Sequence, residues 1–248
     1  MTIAHLLFLA AAAFLAGALN SVAGGGSFLS FPALVYTGVP SVMANATNTV
    51  ALFPGQLASA WAYRRDFPRL PGLHPLVLIV VSLAGGVAGA LLLVLTPQKS
   101  FDAVVPWLLL LATLLFAFSK RLVPWLQSRI HVGPGAVCAL QFLLGVYGGY
   151  FGGAVGIMML AVFGLFGIDD IHAANALKTL LGGLINAIAV VCFIAAGKVE
   201  ALPAVIMLTA SVLGGYAGAR GAKAVPQTLL RRGVVAAGTV MTLVFFIR

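Results

Sequence analysis

The chain has 248 residues, 62% of them hydrophobic and 8% charged, with a formal net charge of +9 and a mean hydropathy of +1.12. A soluble domain carries roughly 25% charged residues to face water, so a soluble enzyme, a disordered tail and a secreted disulfide scaffold are excluded. What remains is an integral membrane protein whose basic excess lies in loops on one side of a bilayer. Nucleic acid is not an expected partner, because no basic run is interleaved with aromatics.

A helical span takes about 20 apolar residues. Stretches of that order run over 3–22, 43–63, 74–95, 101–119, 134–152, 172–196, 201–219 and 228–247. Two shorter segments, 27–38 and 157–167, each follow a glycine cluster and are too short to cross comfortably. The first stretch lacks the Lys or Arg that opens a signal peptide, and spans follow it, so it reads as a membrane helix. Connections are marked by Pro, Gly and charge at Arg64 to Pro68, Thr96 to Lys99, and Lys120 to His131. Strand alternation is absent. The predicted fold is an all-α integral membrane protein, a polytopic helical bundle with broken or re-entrant short helices. Cys138 and Cys192 stand alone in apolar stretches and read as packing residues; no metal and no cofactor is expected.

The chain repeats itself. Residues 85–98 match 214–227 at seven of fourteen positions without a gap, including Gly85-Gly86 with Gly214-Gly215 and Pro97-Gln98 with Pro226-Gln227. At an offset of 130, Ala44-Asn45-Ala46-Thr47-Asn48-Thr49 aligns with Ala174-Asn175-Ala176-Leu177-Lys178-Thr179. Two repeats are expected, 1–125 and 126–248, within one membrane domain. Lys and Arg stay inside, which orients them. If only the eight long segments cross, the basic residues divide eight to five; if the short ones also change sides, the division is ten to three with Lys178 left inside. The second arrangement puts an odd number of crossings in each repeat, so the repeats are expected to be inverted, with both chain ends outside.

Two glycine clusters break the helical pattern, Ala23-Gly24-Gly25-Gly26-Ser27 and Gly148-Gly149-Tyr150-Phe151-Gly152-Gly153-Ala154-Val155-Gly156. Backbone amides at the start of a short helix form an anion site, which selects Gly25, Gly26, Ser27, Gly153 and Gly156. The small-residue pairs Gly85/Gly89 and Gly214/Gly218 read instead as close helix packing. Asn45, Asn48, Thr49, Gln56 and Ser59 fall within one helical arc of roughly 100°. Asn175, Lys178, Thr179 and Asn186 repeat that stripe. Two matching polar faces are expected to line a shared cavity, although such residues also serve as interhelical glue. Lys178 replaces the neutral Asn48 of the first repeat. A lysine in a bilayer costs roughly 2.5–3.5 kcal/mol, so it faces a partner, a wet pathway or, by snorkelling, the interface. Asp169 and Asp170 are its candidate protein partners and a bound anion is the other. His172 and the aromatic residues Trp61, Tyr63, Trp107, Trp125 and Tyr216 read as interface residues or packing. No nucleophile–base motif suggests an enzyme.

Taken in order, Ala16-Gly17 through Gly24-Gly25-Gly26, Phe31-Pro32-Ala33-Leu34, Gly38-Val39-Pro40 and Ala44-Asn45-Ala46-Thr47-Asn48 resemble the sulfite-exporter (TauE/SafE) family of membrane permeases. Gly145 through Gly156 and Ala174-Asn175-Ala176-Leu177-Lys178 echo that order, so the resemblance covers essentially the whole chain. One departure is that Ala154-Val155-Gly156 stands where the first repeat has three glycines. The resemblance implies export of sulfite, a sulfonate or a related small sulfur-containing anion across a bacterial inner membrane. The expected mechanism is a secondary transporter working by alternating access; a passive anion channel and a non-transporting, insertase-like scaffold are the alternatives. The expected partners are the anion and the bilayer, with a coupling proton or cation and a homo-oligomer left open.

Overall fold

A computed structural model describes residues 1–22, 25–65, 67–68, 70, 72–221 and 227–247. Gly24, Arg69, Lys223, Pro226 and Arg248, which entered the repeat, loop and charge arguments, lie outside the described residues, as do the side chains of Ser59, Arg220 and Arg231. The described chain forms ten helices: α1 Ile3–Val22, α2 Ser27–Tyr36, α3 Ser41–Ala62, α4 Pro75–Leu95, α5 Gln98–Gln127, α6 Pro134–Tyr150, α7 Val155–Leu165, α8 Ile171–Ala195, α9 Ala201–Gly221 and α10 Gln227–Ile247. Five of them, α1, α4, α5, α8 and α9, are long and apolar enough to cross a membrane. Of the rest, α3 carries Asn45, Asn48 and Gln56 in its body, α6 has 17 residues, and α10 carries Arg232 near its start.

Local chemistry sets many of the helix ends. His74 caps α4 by accepting from Leu76 N at 3.2 Å, with Pro75 at the first helical position. Asp170 caps α8 by accepting from His172 N at 3.0 Å. The two short helices stop alike. Beyond α2, Gly38 takes φ +90° and Val39 N reaches back to Leu34 O; beyond α7, Gly167 takes φ +91° and Ile168 N reaches Phe163 O. This is the left-handed glycine stop that ties off orphan carbonyls. Lys120 to Gln127, expected as a connection, is instead helical, and α5 runs unbroken through Pro106 and Pro124. Lys, Arg, Leu and Gln are good helix formers, and they outweigh the loop signal that charge and proline gave.

Apart from α3 with α5, the helix pairing is preserved when each helix is exchanged with the one five places away. α1 packs on α9 as α6 packs on α4, α3 on α9 as α8 on α4, and α2 on α10 as α7 on α5; α3 with α8 and α5 with α10 are their own counterparts. The two largest contacts are made through small residues, as expected for Gly85, Gly89 and Gly214. A Cβ on Gly89 of α4 would fall 2.0 Å from Val146 O of α6, and one on Gly214 of α9 would fall 1.9 Å from Phe14 O of α1. With lipid outside, such close backbone approach is what holds helices together. Large apolar side chains such as Leu95, Trp107, Leu213 and Ile247 point outward, as a lipid-facing surface requires.

Contacts along the chain define two ends. At one, Phe8 meets Tyr36 with ring centroids 5.6 Å apart, Val42 N donates to Gln98 Oε1 at 3.3 Å, and Glu200 N donates to Thr47 Oγ1 at 3.0 Å. The 30 residues of α5 then rise about 45 Å to the other end, where Val132 N donates to Leu165 O at 3.0 Å. α2 therefore doubles back along α1 to the end where α1 began, and α7 returns to the end where α6 began.

Candidate functional site

The two short helices start at the same place. Ser27, the first residue of α2, and Gly153, two residues before α7, line one small cavity with Asn45 and Asn48 of α3. Phe28, Phe31, Phe151 and Leu109 supply its apolar wall, and it has room for about one water. Glycine makes the breaks possible: Gly25 and Gly152 adopt φ of +86° and +79°, and Ala154, without that freedom, is nevertheless held at +59°. Two helix N-termini aimed at one cavity give it a positive potential with no cation in its wall.

Several amides at the two breaks are committed within the protein. Gly26 N donates to Asn20 Oδ1 at 2.7 Å, Phe28 N to Gly25 O at 3.0 Å, and Leu29 N to Gly26 O at 2.9 Å. On the other side Ile157 N donates to Ala154 O at 3.0 Å. The Gly26 amide is thus spent inside the protein, and both termini contribute through their dipoles.

Side-chain amides take up the hydrogen bonding. Asn45 and Asn48 are 2% and 3% exposed. Asn45 Nδ2 donates to Tyr150 O, at the end of α6, at 2.8 Å, so a side chain from the first five helices caps a helix of the second five. Its Oδ1 is left for the cavity. The buried Ser30 hydroxyl reaches both Gly26 O and Asn48 Oδ1. It has one hydrogen for two acceptors, so Asn48 is only intermittently satisfied from within the protein.

The second stripe lies beside the cavity, outside its lining. Lys178 is half-buried, its Nζ donates to Asn175 Oδ1 at 2.7 Å, and its stem runs where a Cβ on Gly156 would sit 3.2 Å from Lys178 Cδ. Asp170, one of its expected carboxylate partners, caps α8 instead, about 12 Å away along the helix axis. A neutral amide leaves the ammonium charge uncancelled. The stripes meet directly at Gln56 and Asn186, which occupy matching positions and hydrogen-bond to each other across α3 and α8. Thr49 and Thr179 behave identically, each turning its hydroxyl onto its own helix, at Asn45 O (2.9 Å) and Asn175 O (2.8 Å). Both therefore have no hydrogen to give a ligand.

The structure brings Ser27, Asn45, Asn48 and Gly153 together, sets Gly156, Asn175 and Lys178 next to them, and keeps Gln56 and Asn186 as a separate bridge. Sequence reasoning missed Asn20, Ser30 and the aromatic wall. An asparagine six residues before a glycine break was a usable signal for Asn20; nothing distinguished Phe28, Phe31 or Phe151 from packing. At one end of the bundle Arg64 stacks over Trp61 at 4.3 Å and Arg129 over Trp125 at 5.1 Å, the arrangement of interfacial aromatics. Among the described residues no group of three His, Cys, Asp or Glu could hold a metal.

The family model described as sulfite exporter TauE/SafE matches residues 9–245. Among curated proteins, the probable membrane transporter protein ORF9 of Sinorhizobium sp is 32% identical, over 91% of this chain and 88% of its own length. A probable membrane transporter protein of Haemophilus influenzae is 29% identical, over 92% and 89%. The probable membrane transporter protein YfcA of Escherichia coli K12 is also 29% identical, over 93% and 85%. No solved structure gives a significant match.

Proposed function

Given that this chain belongs to the sulfite exporter TauE/SafE family and is a multi-pass membrane transporter, we propose that it is a secondary exporter of a small sulfur-containing oxyanion. The anion, sulfite or a short sulfonate, binds between the α2 and α7 N-termini and passes across the bacterial inner membrane. The observation that carries this reading is the shared cavity of Ser27, Asn45, Asn48 and Gly153. It combines two positive helix ends with buried amides that have unmet hydrogen-bonding capacity. Lys178, one turn of α7 away, supplies the full charge that the cavity wall lacks.

Because α1 and α3 pack on α9, and α6 and α8 on α4, the moving units are these two matching groups, each drawn from both repeats, and their rocking exposes the site to each side in turn. The helix pairing that survives exchange of the two sets supports this reading. So do the opposite bundle ends at which α1 and α6 begin, an arrangement that inverted repeats produce. Among described side chains Arg64, Arg65, Lys120, Arg121, Arg129 and Arg232 lie toward one end and Lys99 and Lys198 toward the other, which makes the first end cytoplasmic under the positive-inside rule.

The test is sulfite uptake and counterflow in liposomes carrying the purified protein, with Lys178→Ala and Asn48→Asp as variants. Asn48→Asp places a like charge against the anion and is expected to abolish transport; Lys178→Ala is expected to lower it at least tenfold. Wild-type counterflow at zero net gradient marks a carrier. Unchanged sulfite transport in both variants would remove the anion from this site.

A further inference from the structure

A second cavity, larger and almost wholly apolar, lies between α5, α6 and α7. It encloses about 220 Å³ and is lined by Leu122 and Leu126 of α5, Leu140 of α6, and Met158, Ala161 and Leu165 of α7. Its origin is a difference between matching helices. In the first five helices Phe31 of α2 stacks on Phe245 of α10, with ring centroids 5.7 Å apart. At the offset of 130 the counterpart of Phe31 is Ala161, and Phe116, which matches Phe245 at 129, turns away to meet Phe28 at 6.3 Å. A ring-sized space is therefore left open beside α7. Its interfacial end is bounded by Gln127, whose side chain occupies the place a Cβ on Gly164 would need.

The surroundings of this groove are basic and interfacial. The face of α5 that presents Leu115, Leu122 and Leu126 to the groove leads, three residues on, to Arg129, which stacks over Trp125. Lys120 is exposed on the flank of the same helix, next to the groove residue Ser119. Tryptophan paired with arginine marks headgroup depth. The groove thus descends from a cationic rim at the membrane interface along an apolar wall.

We propose that this groove holds one acyl chain of an anionic phospholipid, whose headgroup rests on Arg129. The apolar wall admits no polar ligand, and every membrane lipid brings a chain, so the wall alone confers no selectivity. Selection comes from the rim, because each basic side chain near the membrane surface favours an anionic headgroup about fivefold, equivalent to about 1 kcal/mol. Ala161 is the residue that makes room for the chain.

The full-length protein in detergent micelles is titrated with phosphatidylglycerol and with phosphatidylcholine of identical chains, reading bound lipid by native mass spectrometry and unfolding by melting temperature. Phosphatidylglycerol is expected to be retained and to raise the melting temperature, and phosphatidylcholine to bind about fivefold more weakly. Ala161→Phe fills the groove and is expected to abolish retention, with Ala161→Leu as the milder filling should the first variant fail to fold. Arg129→Gln, on the surface, is expected to weaken phosphatidylglycerol binding about fivefold, and Lys120→Gln, about 13 Å away along α5, to leave it unchanged. Equal retention of both lipids overturns the proposal, as does undiminished phosphatidylglycerol binding in the filled variants. A dimer that Ala161→Phe dissociates would assign the groove to a second copy of the chain and overturn it equally.

Discussion

Lys178 enters the bundle with a neutral partner, and that choice has a price in stability. Its ammonium is held by Asn175 Oδ1 at 2.7 Å, and an amide offsets only part of the roughly 2.5–3.5 kcal/mol that a mid-membrane lysine costs. Ala154 is the other strained residue, held at φ +59° where a side chain crowds the backbone. Left-handed geometry costs a non-glycine residue about 1–2 kcal/mol, so Ala154→Gly is expected to stabilise the protein by about 1 kcal/mol. A thermal melt that falls or stays put would show that the backbone there is not strained. At this scale the sequence revealed Lys178, Asn45 and Asn48, because polar residues recurring at helical spacing in apolar helices stand out. Tyr150 contributes only a carbonyl, which every residue has, and Ser30 only one more serine, so neither left a trace.

Helix pairs carry most of the cohesion, and they do so through backbone contact. Gly89 has no space for a methyl against Val146 O, whereas a Cβ on Gly182 in α8 would meet nothing within 4 Å. The two alanine substitutions are therefore expected to have opposite signs. Gly89→Ala overpacks the α4–α6 seam and costs about 1–3 kcal/mol; Gly182→Ala gains up to about 1 kcal/mol of helix propensity. Melting curves of the two variants check this, and a shared sign would refute it. The small-residue pairs announced these seams in the sequence, but which helix each faced was not legible, since the partners are more than fifty residues apart. The extent of α5 was misjudged for a local reason: Lys120, Arg121 and Pro124 signal a loop, although they sit where a long helix emerges from the apolar layer.

For the whole molecule, the division of charge between two ends is the property most fully present in the sequence, because it needs only the order of the segments. It makes a direct prediction. In a variant with Cys138 and Cys192 replaced by alanine, Lys99→Cys and Arg64→Cys are expected to react with a membrane-impermeant maleimide from opposite faces, Arg64→Cys from the cytoplasm. Labelling of both from the same face would contradict the proposed orientation. What no pattern in the sequence foretold is how α3 is fastened to α6. In the proposed cycle the bond from Asn45 to the last carbonyl of α6 acts as a latch between the group that holds α3 and the group that holds α6. A single such bond is worth about 0.5–1.5 kcal/mol, a bias of roughly two- to tenfold, small enough for thermal motion to undo many times a second. When the proposed rocking parts α3 from α6, the carbonyl of Tyr150 must find water in place of the amide. Admission of water to the cavity and release of the latch are then one event, so the wetting of the site on either side sets the moment at which the molecule changes direction.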